Sequence, residues 1–327
     1  MCNNRYFMAR ILFGKTLLSL SIATLISACS QQNSSPAQTD TAAQNNIATL
    51  GLSNPSDHAR TDTVLLPYAD LGIAPAQATA LVAQTGGKVI PSQLIDHNGD
   101  GEKDTLLLQT ELAAAASQSI TISNNPALFA AQQLPKRTQA EISRKTGGRW
   151  QDEKYIGGTF ENVTEVTPPP QYTDHSEWIR YEGPGIESDK VGYRIYLDWR
   201  NGFDVFGNKT GAPVLHKVGL DGYESYHHMA DWGMDLLKVG KSLGAGGYGY
   251  WDGQQVQLVS KVSGHSAKVI ENGPLYSALQ IQYKDWQIAG KTLQLTADLS
   301  MTAGSRLVHT RLTTSEILDN FAVGLVK

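Results

Sequence analysis

Two adjacent histidines, His227 and His228, stand four and three residues ahead of Asp231, with Trp232 next to the carboxylate and Trp251 closing the same stretch, 223–251. An imidazole passes protons near neutral pH, and a carboxylate can orient it or complete a metal site. The His-His-x-x-Asp spacing matches no standard zinc arrangement. Acid–base work on a sugar, with His227, His228 and Asp231 as its carriers, therefore stands beside a metal site of non-standard spacing and beside histidines satisfied within a loop. The glycine-rich run Gly244–Gly249 permits close approach of backbone to a ligand.

A second stretch, 178–209, mixes Glu182, Glu187, Asp189, Asp198 and Asp204 with Arg180, Arg194 and Arg200 and with five tyrosines or tryptophans. A guanidinium grips a carboxylate with two hydrogen bonds, and aromatic faces stack on pyranose rings. Arg194, Tyr196, Asp198 and Arg200, together with Trp232 and Trp251, are therefore the candidate substrate-binding residues. Glu182 joins the histidines as a candidate catalytic carboxylate. A ladder of salt bridges on a solvated sheet face explains the same residues equally well.

Asp96, Asn98, Asp100 and Asp104 fall at positions 1, 3, 5 and 9 of a calcium-loop pattern, with Gly101 at the sharp bend of position 6. Leu107 occupies position 12, where the pattern requires a glutamate. The segment reads either as a structural calcium site or as an Asp/Asn/Gly-rich turn between strands, which uses these residues for backbone reasons alone. The glycine run near 244 lacks the lysine of a phosphate loop.

The elements that must carry these groups read as strands. Val191, Tyr193, Ile195, Leu197 and Trp199 alternate with Arg194, Tyr196, Asp198 and Arg200. Leu293, Leu295, Ala297, Leu299 and Met301 alternate with Gln294, Thr296, Asp298 and Ser300. A period of two is what a half-buried antiparallel strand requires, and Gly/Pro punctuation separates the runs. The fold class is all-β, a sandwich. Residues 47–125 read as a small N-terminal β unit in which 76–84 can form a short helix, residues 126–175 as an irregular connection, and 176–327 as the main β-sandwich domain. The apolar run Phe321–Lys327 stops without a closing turn, as a sheet cut in mid-strand would, so the main domain reads as incomplete at its C-terminus.

The first residues address the chain. Arg5, Arg10 and Lys15 precede an apolar stretch too short to span a bilayer, and Ile26-Ser27-Ala28-Cys29 fits a lipoprotein cleavage site. The expectation is a signal peptide over 1–28, lipid on Cys29 and a polar flexible tether over 29–46. Ser30, in place of the aspartate that retains such proteins at the inner membrane, points to the outer membrane, with membrane contact through the lipid alone. The chain has two cysteines, Cys2 and Cys29, both within this segment, so the folded part has no thiol for a disulfide or a metal. A net charge of -4 leaves no basic footprint for nucleic acid.

The phrases IPSQLIDHNGDGEKDTLLLQ, YEGPGIESDKVGYRIYLDWRNGFDVFG and YHHMADWGMDLLKVGKSLGAGGYG resemble the bacterial family catalogued as domain of unknown function 4861, over roughly residues 47–327. The resemblance implies a galactose-mutarotase-like β-supersandwich and a place in the degradation of plant or algal polysaccharides, notably uronate-rich ones such as pectin. It carries no catalytic assignment. Two functions follow as expectations. One is an enzyme acting on uronate-containing oligosaccharides by lyase, hydrolase or epimerase-type chemistry. The other is a glycan-binding lipoprotein of an uptake system.

Overall fold

The computed structural model describes residues 45–326, so the expected signal segment, Cys29 and all but the end of the tether lie outside the described residues. The strand Asn45–Ser53 takes up the last two tether residues. The described residues divide into two compact units, one holding 45–92 with Leu108–Gln132, the other Gln93–Leu107 with 133–326.

The first unit contains a four-stranded antiparallel sheet in the order Asn45–Ser53, Ser117–Asn124, Leu81–Thr85, Lys88–Ile90. Residues 76–84, expected as a short helix, instead divide between a 3₁₀ turn, Pro75–Gln77, and the strand Leu81–Thr85. Leu81, Val82 and Ala83 are all fully buried. A strand covered on both faces reads as a continuous apolar run, which periodicity alone cannot tell from a helix. The helix of this unit is Pro126–Ala131, where Asn125 accepts the Leu128 amide at 3.0 Å and Pro126 fills the first turn.

The second unit is a β-sandwich. A six-stranded antiparallel sheet runs in the order Thr159–Val163, Thr138–Thr146, Gly185–Ser188, Val191–Ile195, Phe203–Asn208, Gly233–Asp235. A five-stranded sheet runs Glu165–Val166, Gly264–Asn272, Tyr276–Ile288, Lys291–Thr302, His309–Thr314. Ala140, Ile142, Ile186, Ile195 and Phe203 of the first sheet share one apolar core with Leu279, Ile281 and the alternating Leu293, Leu295, Ala297, Leu299 and Met301 of the second. Burying those faces is the main stabilising term, at ~1.5–3 kcal/mol per large side chain.

Three local expectations are corrected. The stretch 126–175 is not an irregular connection, because Thr138–Thr146 and Thr159–Val163 are strands of the six-stranded sheet. In Thr138–Thr146 the period was hidden because Gln139, Glu141 and Ser143, which alternate with the apolar Ala140 and Ile142, are buried polar groups. The strand expected through Arg200 ends at Ile195. Asp198 accepts the Arg200 amide at 2.8 Å and the Tyr196 amide returns to the Gly202 carbonyl at 3.0 Å, so Asx-type turn chemistry reverses the chain there. The glycine run at 244 lies in a strand, Ala245–Trp251, which pairs with Phe321–Leu325. A Cβ on Gly244 would stand 1.8 Å from the Phe203 carbonyl oxygen, so this glycine permits backbone packing on backbone rather than approach to a ligand.

Candidate functional site

The face of the six-stranded sheet turned from the main core carries charge, yet it is buried. Arg194 is 1% exposed and Asp204 0%. The cover is a small apolar cluster in which Tyr181, Phe206, Leu215, Val218 and Tyr226 pack, with Tyr223 and Trp232 at its margin. The 3₁₀ turns Leu215–Lys217 and Glu224–His227 bring Leu215 and Tyr226 into it.

Arg194 and Asp204 are cross-strand partners, and Arg194 donates to Asp204 Oδ2 from Nε at 3.0 Å and from a terminal nitrogen at 2.6 Å. The same guanidinium reaches Asp235 Oδ2 at 3.0 Å, the Tyr226 hydroxyl at 3.1 Å, the Tyr196 hydroxyl at 2.7 Å and Glu182 Oε2 at 3.5 Å. Its plane lies over the Tyr196 ring at 4.6 Å. Arg200 holds Asp198 through Nε at 2.9 Å and Glu182 Oε1 at 2.9 Å. Four carboxylates therefore face two guanidinium groups in a medium that penalises unpaired charge. Burial, the largest cause, pushes Asp235 up to about 7 against the attraction of Arg194.

His227 Nε2 stands 3.6 Å from Asp235 Oδ2. Its Nδ1 lies 2.9 Å from the Tyr223 carbonyl, which can only accept, so Nδ1 carries a proton.

An open cavity of about 510 Å³ adjoins this network. Its lining includes Lys145, Phe160, His175, Glu177, Tyr181, Glu182, Tyr223 and Tyr226. His175 Nδ1 is 3.8 Å from Glu182 Oε1, and the His175 amide donates to the same oxygen at 2.7 Å. The Tyr172 hydroxyl and the Leu197 amide both donate to the Glu182 carbonyl, at 2.9 and 3.0 Å. Four lining residues that are not glycine adopt the left-handed backbone region: His175 at φ 58°, Glu177 at 61°, Tyr181 at 40° and Glu182 at 68°. Each such residue costs ~1–3 kcal/mol, and conformations of this kind collect at functional sites because the surroundings hold them.

Of the residues singled out from sequence, Glu182 lines the cavity. Arg194, Tyr196 and Arg200 stand behind Glu182, buried and hydrogen-bonded to carboxylates, because charges facing one another across the sheet pair with each other before any ligand arrives. Asp198 borders a different cavity, beside Trp199. His227 reaches the network through Asp235, whereas His228 and Asp231 are exposed outside the cavity lining. Trp232 packs on Phe206 at 6.0 Å, and Trp251 belongs to another sheet. Asp96, Asn98 and Asp104 turn inward on their own loop: Asp96 accepts the Gly99 and Gly101 amides, Asn98 that of Asp100 and Asp104 that of His97. Asp100 accepts the Glu102 amide, and no group of three or more His, Cys, Asp or Glu side chains among the described residues is placed to hold a metal.

His175, Lys145, Phe160 and Tyr226 escaped the sequence reading. The first three fall in the stretch read as a connection. The pair Tyr223 and Tyr226, one turn apart and next to His227, was the available signal.

The family model described as Domain of unknown function (DUF4861) matches residues 52–327. No curated protein and no solved structure matches the chain.

Proposed function

Because the chain belongs to the family described as Domain of unknown function (DUF4861), its activity has to be read from the cleft, and we propose that this cleft binds a glycan and performs acid–base chemistry on it. The carrying observation is the His175–Glu182 pair, 3.8 Å apart, on a wall of four left-handed residues. Phe160 and Tyr223 offer ring faces for a pyranose, and the cavity volume suits a small oligosaccharide fragment. Glu182 takes or returns a proton at a sugar carbon or hydroxyl, and His175 serves the opposite side of the exchange. Lyase, hydrolase and epimerase reactions all draw on such a pair. The substrate class is plant or algal polysaccharide fragments, uronate-containing ones included, for which Lys145 in the lining supplies a cation.

The protein works, in this reading, as an exported lipoprotein of the outer membrane, held by lipid on Cys29 and without a nucleic-acid partner. Cys29→Ala should leave unprocessed precursor without fatty-acid label; normal labelling would sink the anchor.

A non-catalytic glycan binder is the second reading, favoured by one observation. The Glu182 carboxylate already accepts from Arg200, Arg194 and the His175 amide, which suits a rigid binding wall as well as a proton carrier. Incubating the protein with pectic and algal oligosaccharides separates the two. The enzyme reading expects new double-bond absorbance, epimerised sugar or shortened products, lost by ~100-fold or more in Glu182→Gln and His175→Ala. Binding without any product assigns the binder, and neither binding nor product overturns both.

A further inference from the structure

A second cavity, of about 300 Å³, lies in the same unit beside Trp199. We propose that it is a subsite for an uncharged pyranose ring, next to the cleft; the inference rests on the glycan reading of that cleft.

Trp199 is the middle residue of the reversal that ends the strand Val191–Ile195, and it is 37% exposed. A tryptophan normally hides its large apolar surface, and one left open with its polar edge satisfied is suited to stacking on a ligand. The edge lies beside the Asp174 carboxylate, whose pKa it helps to lower. The turn beneath is rigid. Asp198 accepts the Arg200 amide at 2.8 Å and Arg200 Nε at 2.9 Å. Asn201, at φ 41°, donates to the Tyr248 carbonyl at 3.0 Å and accepts the Val259 amide at 2.9 Å. The ring is thus presented with little ordering entropy left to lose on binding.

Across the cavity stand Pro168, Pro169 and Pro170, a wall without backbone donors, and the polar groups between are neutral: the Thr173 and Ser260 hydroxyls and the His265 imidazole. His265 Nε2 faces the Leu197 carbonyl at 2.9 Å and so donates, which leaves Nδ1 as an acceptor. Burial pushes the His265 pKa down, in keeping with a neutral ring. The lining contains no lysine or arginine, and the Asp198 carboxylate borders it. A carboxylate-bearing sugar would meet no cation and one acid there, whereas a neutral ring finds hydroxyl partners and an aromatic face.

Two links join this cavity to the cleft. Arg200 holds Asp198, on the wall of the cavity, and Glu182, on the wall of the cleft. Thr173 lines one and His175 the other, two residues along the chain, so their Cα atoms are at most ~7 Å apart. A chain of sugars can place successive rings in the two.

The test is calorimetric titration with xylo-oligosaccharides and oligogalacturonides of increasing length against the wild-type protein, Trp199→Ala and Trp199→Phe. The affinity of the neutral series should rise with length. Trp199→Ala should remove about tenfold of that gain, Trp199→Phe should restore most of it, and the shortest ligand should be unaffected. An unchanged length dependence in folded Trp199→Ala overturns the subsite and leaves the cleft standing. An equal loss for the oligogalacturonides overturns its restriction to uncharged rings. Failure of both series to bind the wild-type protein overturns the glycan reading, and the subsite falls with it.

Discussion

His227 Nε2 and Asp235 Oδ2 lie 3.6 Å apart at the margin of a network in which Arg194 binds both Asp204 and Asp235. The network carries more acid than base, and a retained proton relieves the excess. Burial pushes Asp235 up to about 7 and, on the neighbouring strand Gly185–Ser188, pushes Glu187 up to about 8 even though the Val214 and Leu215 amides donate to it.

Stability should consequently fall as pH rises. In the unfolded chain these carboxyls lose their protons near ~4, while the folded protein keeps them until about 7 and about 8. The folded state binds more protons throughout that window, so its stability is greatest below ~4 on this account and is lost as pH climbs through the folded values. Glu187→Gln removes one titrating group. Its melting temperature should change less between pH 5 and pH 8 than that of the wild type; identical slopes would count against the assignment.

Arg194→Met should destabilise the protein by ~3–5 kcal/mol, because Asp204 and Asp235 would remain buried without their cation. Urea unfolding measures it. Replacing Asp204 by leucine in the same chain should recover part of the loss, and a single mutant as stable as the wild type would show that the network is looser than its distances imply.

Gly183→Ala tests the backbone that carries Glu182. A Cβ there would stand 1.8 Å from the Ile195 carbonyl oxygen, and backbone cannot move aside as a side chain can. The cost should be at least ~3 kcal/mol, with glycan binding lost in parallel. A folded, binding-competent alanine variant would refute the close approach.

Chelation should leave the melting temperature unchanged, since the loop Asp96–Asp104 closes on its own amides. A clear drop that Asp100→Ala erases would instead assign a calcium ion to the loop.

The sandwich was legible because its core strands alternate cleanly, and Leu293 through Met301 are buried at every second position. Thr138–Thr146 was not. Its second face buries Gln139 on Glu141 and Glu141 on the distant Tyr181, and a polar residue that is buried gives the same signal as one in water. Glu182 could be singled out from the density of charge around it. His175 could not, because what marks it is a backbone angle, φ 58°, that no residue type announces. Arg194 was correctly seen as a group needing a carboxylate, but pattern alone does not say whether the carboxylate belongs to a ligand or to the protein. Cross-strand Asp204 answers that in favour of the protein.

The position of Thr138–Thr146 between Thr159–Val163 and Gly185–Ser188 also bears on how the chain finds its fold. The hairpin with Thr159–Val163 closes locally, within microseconds for a short connection. The other edge must wait. Arg180, the ion partner of Glu141, arrives 39 residues later, and until then the strand presents an open ladder and an uncompensated carboxylate. Closing that loop spends chain entropy before any burial returns it, and topologies built from such non-local pairings fold on the millisecond-to-second scale. The expectation is that refolding waits on the arrival of 180–188, and that a half-made sheet with its exposed edge is prone to aggregate.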